Sequence, residues 1–409
     1  MGAPVSVIIV SRGRPRALHR CLTGLAQLDY DPFEIIVVAC PDGQAIAAAH
    51  PQAEHIKLIG FDEPNISAAR NLGIAQAAGE IIAFIDDDAV PEPLWLQHLT
   101  HPFSDPDISA TGGYVIGRNG ISFQWTARSV DAHGVGHPID LTTDAPQTPT
   151  PPAGHALKTE GTNMAFRSDV LREMGGFDPG FQFYLDETDL NMRLALAGHK
   201  TAIAPLAQVH HGFEESDHRH GNRVPKDLTQ IGASQRLFLR KYCPEAEQEP
   251  AWHAFCKDQR LRLLRLVKGR KLKPDGLADL LHGLQTGGDM GLTREITRLA
   301  SIQTARPPFT PFKGRPAAPR RILSGRIWQA PRLRREAAQL AAQGNIVSLY
   351  IFLPSPRYHT VSFKEDGYWE QFGGRFGRST RSQPVWKYYR LSERVRQEYA
   401  RTAAIRGQI

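Results

Sequence analysis

Gly79-Glu80-Ile81-Ile82-Ala83-Phe84-Ile85-Asp86-Asp87-Asp88 is the stretch on which the reading of this chain turns. Five apolar residues between a glycine and a run of carboxylates have the length and continuity of a strand buried on both faces, as in a helix-covered parallel sheet. Carboxylates at the carboxyl end of such a strand lie where open α/β sheets bind ligands. Hard oxygen donors at that place suit Mg²⁺ or Mn²⁺ carrying a diphosphate. Three adjacent carboxylates repel one another and need a compensating cation. The plainer alternative is a strand-to-helix turn, with the acids capping a helix that begins near Pro91.

Outward from this stretch, strand signals at 5–10, 34–39, 56–60 and 80–85 alternate with helical periodicity near 15–27, 43–50 and 66–78. The alternation predicts a sheet joined by right-handed helical crossovers. Further strands are expected at 108–116, 163–166, 201–204 and 208–211, with a Pro- and Thr-rich loop at 142–154. Ser168 opens one helix, and Leu185 to Ala197 forms another that Gly198 stops. Past about 222 the period is helical, with helices expected near 225–241, 250–269, 274–286 and 291–303. Residues 306–325 read as a linker, 326–343 as a basic helix and 348–353 as a strand. The expected domains are an α/β unit over 1–245, a helical extension over 246–305, and a basic, aromatic-rich region over 306–409.

Composition narrows the classes. At 409 residues and 41% apolar content the chain can bury a sizeable core. No apolar run approaches the ~20 residues of a membrane span, and no signal peptide is evident. Cys21, Cys40, Cys243 and Cys256 show no paired metal spacing, which fits reduced thiols in the cytoplasm. From Lys313 onward 19 Lys and Arg face 6 Asp and Glu, whereas the residues before it carry 30 against 36. A basic tail on an acidic body points to an anionic partner for the tail.

Six motifs follow in order: Val5-Ser6-Val7-Ile8-Ile9-Val10-Ser11-Arg12-Gly13-Arg14-Pro15; Asn65-Ile66-Ser67-Ala68-Ala69-Arg70-Asn71-Leu72-Gly73; Asp86-Asp87-Asp88; Gly161-Thr162-Asn163-Met164-Ala165-Phe166-Arg167; Gly175-Gly176-Phe177-Asp178; and Asp186-Glu187-Thr188-Asp189-Leu190-Asn191-Met192-Arg193. Each is weak alone, but their order and spacing over about 4–240 resemble the family 2 glycosyltransferases. The resemblance implies a GT-A fold, a Rossmann-like, mostly parallel sheet flanked by helices, here with a mainly helical C-terminal appendage. It also implies a nucleotide-sugar donor, a divalent metal and inversion at the sugar carbon.

The chemistry agrees independently. A diphosphate leaving group must be neutralised, which a divalent cation does as a Lewis acid. An inverting displacement also needs a base for the acceptor hydroxyl. The resemblance assigns Asp88 to the metal and Asp86 to the ribose or the metal. Asp87 is the spare member on the donor side, and serves as well for a helix cap. Glu187 takes the position of the general base beside Asp186, in an order reversed from the family's Glu-Asp. The plainer role of both is favourable charge at a helix N-terminus; Asp189 and Arg193 are spaced for an i,i+4 pair. His210 is expected to complete the metal site, and an imidazole tilts the choice from Mg²⁺ toward Mn²⁺. His218-Arg219-His220 reads as a solvated loop or as a second metal site. For the donor, Ser11, Asp42 and Arg70 are candidates, although Asp42 is displaced by a few residues from the family's base-binding aspartate. A UDP-sugar is the expected donor.

The acceptor, a sugar or a lipid-linked sugar, is not specified by these motifs. Trp252 to Lys273 forms a basic amphipathic stretch, and Trp328, Tyr368, Trp369, Trp386, Tyr388 and Tyr389 lie among the arginines of the tail. Such surfaces suit an anionic membrane headgroup layer, or equally a helix packed on the catalytic domain with a solvated basic face. No nucleic-acid module is recognisable. The expected activity is therefore glycolipid or surface-polysaccharide synthesis in the cytoplasm, peripheral to the membrane. A nucleotidyltransferase and a non-catalytic scaffold of the same fold are the alternatives.

Overall fold

The computed structural model describes residues 2–212, 215, 219–221, 224–303 and 308–408. Its first part alternates as expected: β1 (Val5–Ser11), α1 (Pro15–Leu25), β2 (Phe33–Ala39), α2 (Pro41–Ala48), β3 (Ile56–Gly60), α3 (Ile66–Gln76) and β4 (Ile81–Phe84). Then follow β5 (Ala89–Pro91), α4 (Trp95–Thr100), β6 (Ile108–Ile116), β7 (Phe123–Trp125), β8 (Arg128–Val130) and β9 (Gly136–Pro138). The unit closes with β10 (Ala156–Leu157), β11 (Met164–Arg167), α5 (Ser168–Glu173), α6 (Asp186–Leu196) and β12 (Lys200–His211).

Among the described residues nine strands form one sheet in the order β3-β2-β1-β4-β11-β6-β12-β5, with β7 paired to β6. Strands β1 to β4, β6 and β12 run one way, while β5, β7 and β11 are reversed. Alternation along the strands sorts side chains to two layers. Val5, Val7 and Ile9 pack with Leu18, Leu22 and Leu25 of α1, whereas Ile8 meets Ala69 and Ile74 of α3. Helix α3 lies so close to β1 that a Cβ on Gly73 would stand 2.6 Å from the Ile8 side chain. The two strands expected at 201–204 and 208–211 are one strand, β12, whose register on β6 slips between Ala204 and Gln208. Pro205 sits in that slip and has no N–H to give the ladder. The helix-cap reading of the three aspartates fails, because the chain after them enters β5 and the next helix starts at Trp95.

Helices α7 (Thr229–Tyr242), α8 (Glu245–Lys268) and α9 (Pro274–Thr293) form a helical extension around Trp252, Leu263, Leu280 and Leu284. The helix expected at 291–303 does not form. Its first residues end α9, and the rest is drawn off by tertiary bonds: Arg294 donates to Gly180 O and to Gln230 at 2.6 Å, and Ile302 N–H donates to Arg172 O at 2.9 Å. Helix α8 turns Trp252 and Leu263 inward and leaves Leu261 and Leu264 exposed.

From residue 320 the chain builds a small sheet that the sequence revealed only in part: β13 (Arg320–Arg326), α10 (Ala330–Ala342), β14 (Ile346–Leu353), β15 (Thr360–Phe363), β16 (Trp369–Gly374) and α11 (Leu391–Arg406). Its order is β13-β14-β16-β15, with β15 antiparallel to β16. Phe312, in the expected linker, is buried against Phe33 and donates its N–H to Phe33 O at 2.8 Å. The small sheet docks on the first unit through buried Glu92, which binds Arg406 at 2.6 Å and His210 at 2.8 Å. The Trp369 ring lies 4.7 Å from the His210 ring and 4.3 Å from the Arg406 guanidinium. Val90, Ile121, Val361, Phe363 and Trp369 close an apolar seam beside it. Tyr368, Trp369 and Tyr389 are thus buried, while Trp328, Trp386 and Tyr388 remain exposed. No helix among the described residues is long and apolar enough to cross a membrane.

Candidate active site

The three aspartates leave β4 and turn into β5, and their exposure is unequal: Asp87 and Asp88 are buried, Asp86 partly open. Their mutual repulsion is relieved from within the chain. Arg14, next to the N-terminus of α1, places Nη2 2.6 Å from Asp87 Oδ1 and Nη1 3.3 Å from Asp88 Oδ2. The Ser11 hydroxyl donates to Asp87 Oδ2 at 2.7 Å. Burial pushes the Asp87 carboxyl up against the pull of Arg14. Asp87 is therefore an internal strut and neither a donor contact nor a cap.

Asp86 and Asp88 converge with His211, and one ligating atom from each lies within 4.8 Å of the others. Pairing of β5 with β12 sets His211 opposite Ala89, so Asp88 meets the histidine directly, with Nε2 3.2 Å from Oδ1. His211 Nδ1 lies 3.1 Å from Gln124 Oε1, and this acceptor holds the ring proton there and turns Nε2 to the carboxylates. Two carboxylates and one oriented imidazole fit a divalent cation such as Mn²⁺. His210, the expected ligand, is one residue off. Successive strand residues face opposite ways, and His210 turns to Glu92 and Trp369. His218, of the possible second cluster, lies outside the described residues.

Asp186 and Glu187 open α6 after Tyr184 and Leu185, whose φ values are 73° and 65°. Two successive left-handed residues without glycine mark a backbone held by its surroundings. Arg70 is buried, pairs with Asp186, reaches Asp86 at 3.5 Å and donates to Gly161 O at 3.1 Å. It lies 5.0 Å from the Phe177 ring. The expected contact of Arg70 with the donor is thus replaced by a link between the two acidic groups. Lys158 Nζ meets Glu187 Oε1 at 2.5 Å and Thr188 Oγ1 at 2.8 Å. Burial pushes the Asp186 carboxyl up, with Arg70 opposing. At Glu187 burial also pushes up, but Lys158 outweighs it and holds the carboxyl well below its usual range. The anticipated pair of Asp189 and Arg193 is present at 2.8 Å.

A cavity of about 210 Å³ opens beside these groups, lined among others by Ser11, Phe61, Asp86, Asp88, Trp125 and His211. Asp42 does not line it; it is exposed in the first turn of α2. Phe61 and Glu63, after β3, occupy the wall instead. Ser11 lines the cavity while its hydroxyl donates to Asp87. A second cavity of about 180 Å³ reaches Asp88 and His211 from the other side, between Arg20, Arg118 and the β15 residues Val361 and Phe363. The sequence offers both His210 and His211 at the strand end and favours the wrong one, and it gives no role to Arg14, Gln124 or Lys158, whose partners are distant in the chain.

The sequence profile of the Glycosyltransferase like family 2 matches residues 3–223. The O-antigen biosynthesis protein RfbC of Myxococcus xanthus is 29% identical over an alignment of 241 residues that covers 55% of this chain and 18% of that protein. A pre-mycofactocin glycosyltransferase of Mycobacterium tuberculosis is 29% identical over 224 residues, 53% of this chain and 43% of that protein. The chain thus spans less than half the length of these two relatives. Among solved structures, a mannosyltransferase of Pyrobaculum calidifontis in complex with GDP-Man and Mn²⁺ aligns over 72% of this chain and 88% of that one, at 15% identity and a TM-score of 0.42.

Proposed function

The chain belongs to the Glycosyltransferase like family 2, and on that footing we propose that it transfers a sugar from a nucleotide-diphosphate sugar to a hydroxyl acceptor, with inversion. The observation that carries the reading is the convergence of Asp86, Asp88 and His211 at the lining of one cavity. These three residues would hold a divalent cation, Mn²⁺ before Mg²⁺, which when bound supplies Lewis-acid neutralisation of the diphosphate leaving group. With a UDP-sugar as donor, its uridine would sit between the end of β1 and Phe61. Glu187 takes the acceptor proton as the hydroxyl oxygen bonds to the sugar carbon and the bond to the diphosphate breaks. It is the more open member of the acidic pair, with 16% of its side chain exposed against 6% for Asp186. Lys158 fixes the position of this carboxylate and lowers its basicity, so the ion pair must loosen as the acceptor hydroxyl arrives. Asp186 stays on Arg70 and fixes α6 relative to Asp86. The acceptor belongs to a glycolipid or surface polysaccharide assembled at the cytoplasmic face of a membrane.

The test is a thermal-shift screen of nucleotide sugars with and without Mn²⁺, followed by sugar release from the stabilising one. A selective, Mn²⁺-dependent shift with slow hydrolysis is expected. No shift and no hydrolysis with any nucleotide sugar would leave a non-catalytic scaffold.

A further inference from the structure

We propose that His133, Cys243 and Glu247 form a second metal site, a structural clasp for Zn²⁺ or a similar transition-metal ion, separate from the aspartates of the active site. His133 lies in the turn between β8 and β9, and Cys243 and Glu247 flank the junction of α7 and α8. One ligating atom from each lies within 4.8 Å of the other two, and His133 Nε2 stands 3.2 Å from Glu247 Oε2. A tetrahedral centre with bonds of about 2.0–2.3 Å sets its ligand atoms about 3.3–3.8 Å apart. The histidine and glutamate already have that spacing, and the thiol completes it with a shift on the order of 1 Å. A thiolate, an imidazole and a carboxylate are a zinc-type donor set, whereas Mg²⁺ and Ca²⁺ take oxygen ligands.

The main chain that carries the imidazole is held in place without any ion. Asp131 Oδ1 accepts the N–H groups of His133 and Val135, each at 2.9 Å, and the Gln235 amide donates to His133 O at 2.8 Å. Asp131 Oδ2 stands 4.0 Å from His133 Nδ1 and 2.8 Å from His137 Nε2. A carboxylate thus lies on the Nδ1 side of the ring, away from Glu247, about 1 Å short of the hydrogen bond by which outer partners orient metal-binding histidines. Cys243 is placed by the end of α7, beyond which Pro244 starts a new helix. Its thiol is buried, while the Glu247 side chain is 58% exposed, so an ion enters from the glutamate side.

Burial keeps the free thiol protonated, so binding exchanges a proton for the ion: the S–H bond breaks, the sulfur–metal bond forms, and one proton leaves to solvent. The ion would join the β8–β9 turn to the helical extension. Strand β8 starts at Arg128, which pairs with Glu160, and Glu160 lies 4.0 Å from Lys158. The clasp therefore braces the network that holds Glu187 without touching substrate.

The full chain is titrated with Co²⁺, because a cobalt–thiolate bond gives a charge-transfer absorption that oxygen and nitrogen ligands do not. One equivalent should produce this band and Zn²⁺ should displace it. Cys243→Ser should lose the band, His133→Gln and Glu247→Gln should weaken cobalt binding by about tenfold or more, and Asp88→Asn should keep it. Glu247 is exposed, so Glu247→Gln remains informative if Cys243→Ser fails to fold. On Asp88→Asn, which has lost the active-site cation ligand, Zn²⁺ should raise the Tm, and adding Glu247→Gln should remove that rise. Absence of a thiolate band, or a band and a Tm rise unchanged when Glu247→Gln is added to Asp88→Asn, overturns the proposal.

Discussion

Asp87 and Asp88 are adjacent in the chain and differ in what they face, Asp87 toward Ser11 and Arg14 and Asp88 also toward His211. Asp87→Ala removes one carboxylate from a partly buried guanidinium and should cost about 2 kcal/mol of stability, with little change in Mn²⁺-dependent nucleotide affinity. Asp88→Ala should abolish that affinity. Calorimetric melting and nucleotide titration of both variants separate the two, and equal loss of nucleotide affinity in both would reject the division. At the acidic pair, Glu187→Gln should lower turnover by about 10² or more with donor affinity kept, as loss of a general base does. Asp186→Asn frees Arg70, so donor affinity and melting temperature should fall together with turnover. A larger loss in turnover alone for Asp186→Asn than for Glu187→Gln would exchange the roles. Residue identities at these positions are legible in the sequence. Their partners are not, because Arg70 and Asp186 meet across 116 positions and Ser11 and Asp87 across 76.

Among elements, β16 and α11 of the C-terminal sheet enclose a polar core whose acid response follows from one histidine. Gln371 on β16 donates to His359 Nδ1 at 2.7 Å and to Glu398 of α11 at 2.8 Å, while His359 Nε2 lies 2.8 Å from Gly374 O. Burial, assisted by the nearby Arg394 charge, pushes the His359 pKa down to about 4. In the unfolded chain a histidine titrates near 6.5, so as the pH falls the unfolded state takes the proton first. The stability this group contributes is present above about pH 6.5 and is lost toward pH 4, by at most about 3 kcal/mol. The melting temperature of the native chain should fall more steeply over that window than that of His359→Gln; parallel slopes would exclude His359 as the cause. Element type was readable wherever periodicity was strong, as in β1 to β4 and α1 to α3. Strands β7 to β10 were not, because at two or three residues they carry no period and are strands only through their neighbours.

For the whole molecule, the basic tail folds back onto the catalytic unit. Burial would push the Glu92 carboxyl up, but the Arg406 guanidinium and the bond to His210 bring it down to about 2. Removing the tail would strand that buried charge, which makes truncation a poor measure of what the tail binds. Its exposed surface is the better probe. Trp328, Trp386 and Tyr388 stand out among arginines, with Arg326 5.2 Å from the Trp328 ring and Arg375 6.0 Å from that of Tyr388. Sedimentation with anionic vesicles should retain the intact chain at low salt and release it as salt rises, since each basic residue at the surface adds about 1 kcal/mol that ions screen. Trp328→Ala with Trp386→Ala should reduce retention and leave donor hydrolysis intact. No difference between neutral and anionic vesicles would leave the tail as a structural or partner-binding module.

The alternation of strands and helices in the first half, the place of the acidic run at a strand end, and the family were all legible along the chain, because periodicity and short motifs are local properties. Tertiary structure alone decided which histidine reaches Asp88, since one step along β12 exchanges the two faces of the strand. It alone supplied Arg14, Arg70 and Lys158 as the charges that let clustered carboxylates be buried, and it turned a basic, aromatic tail into a docked sheet around Glu92 and Arg406. Strand pairing and buried ion pairs join residues distant in sequence, and no window of the chain contains both partners.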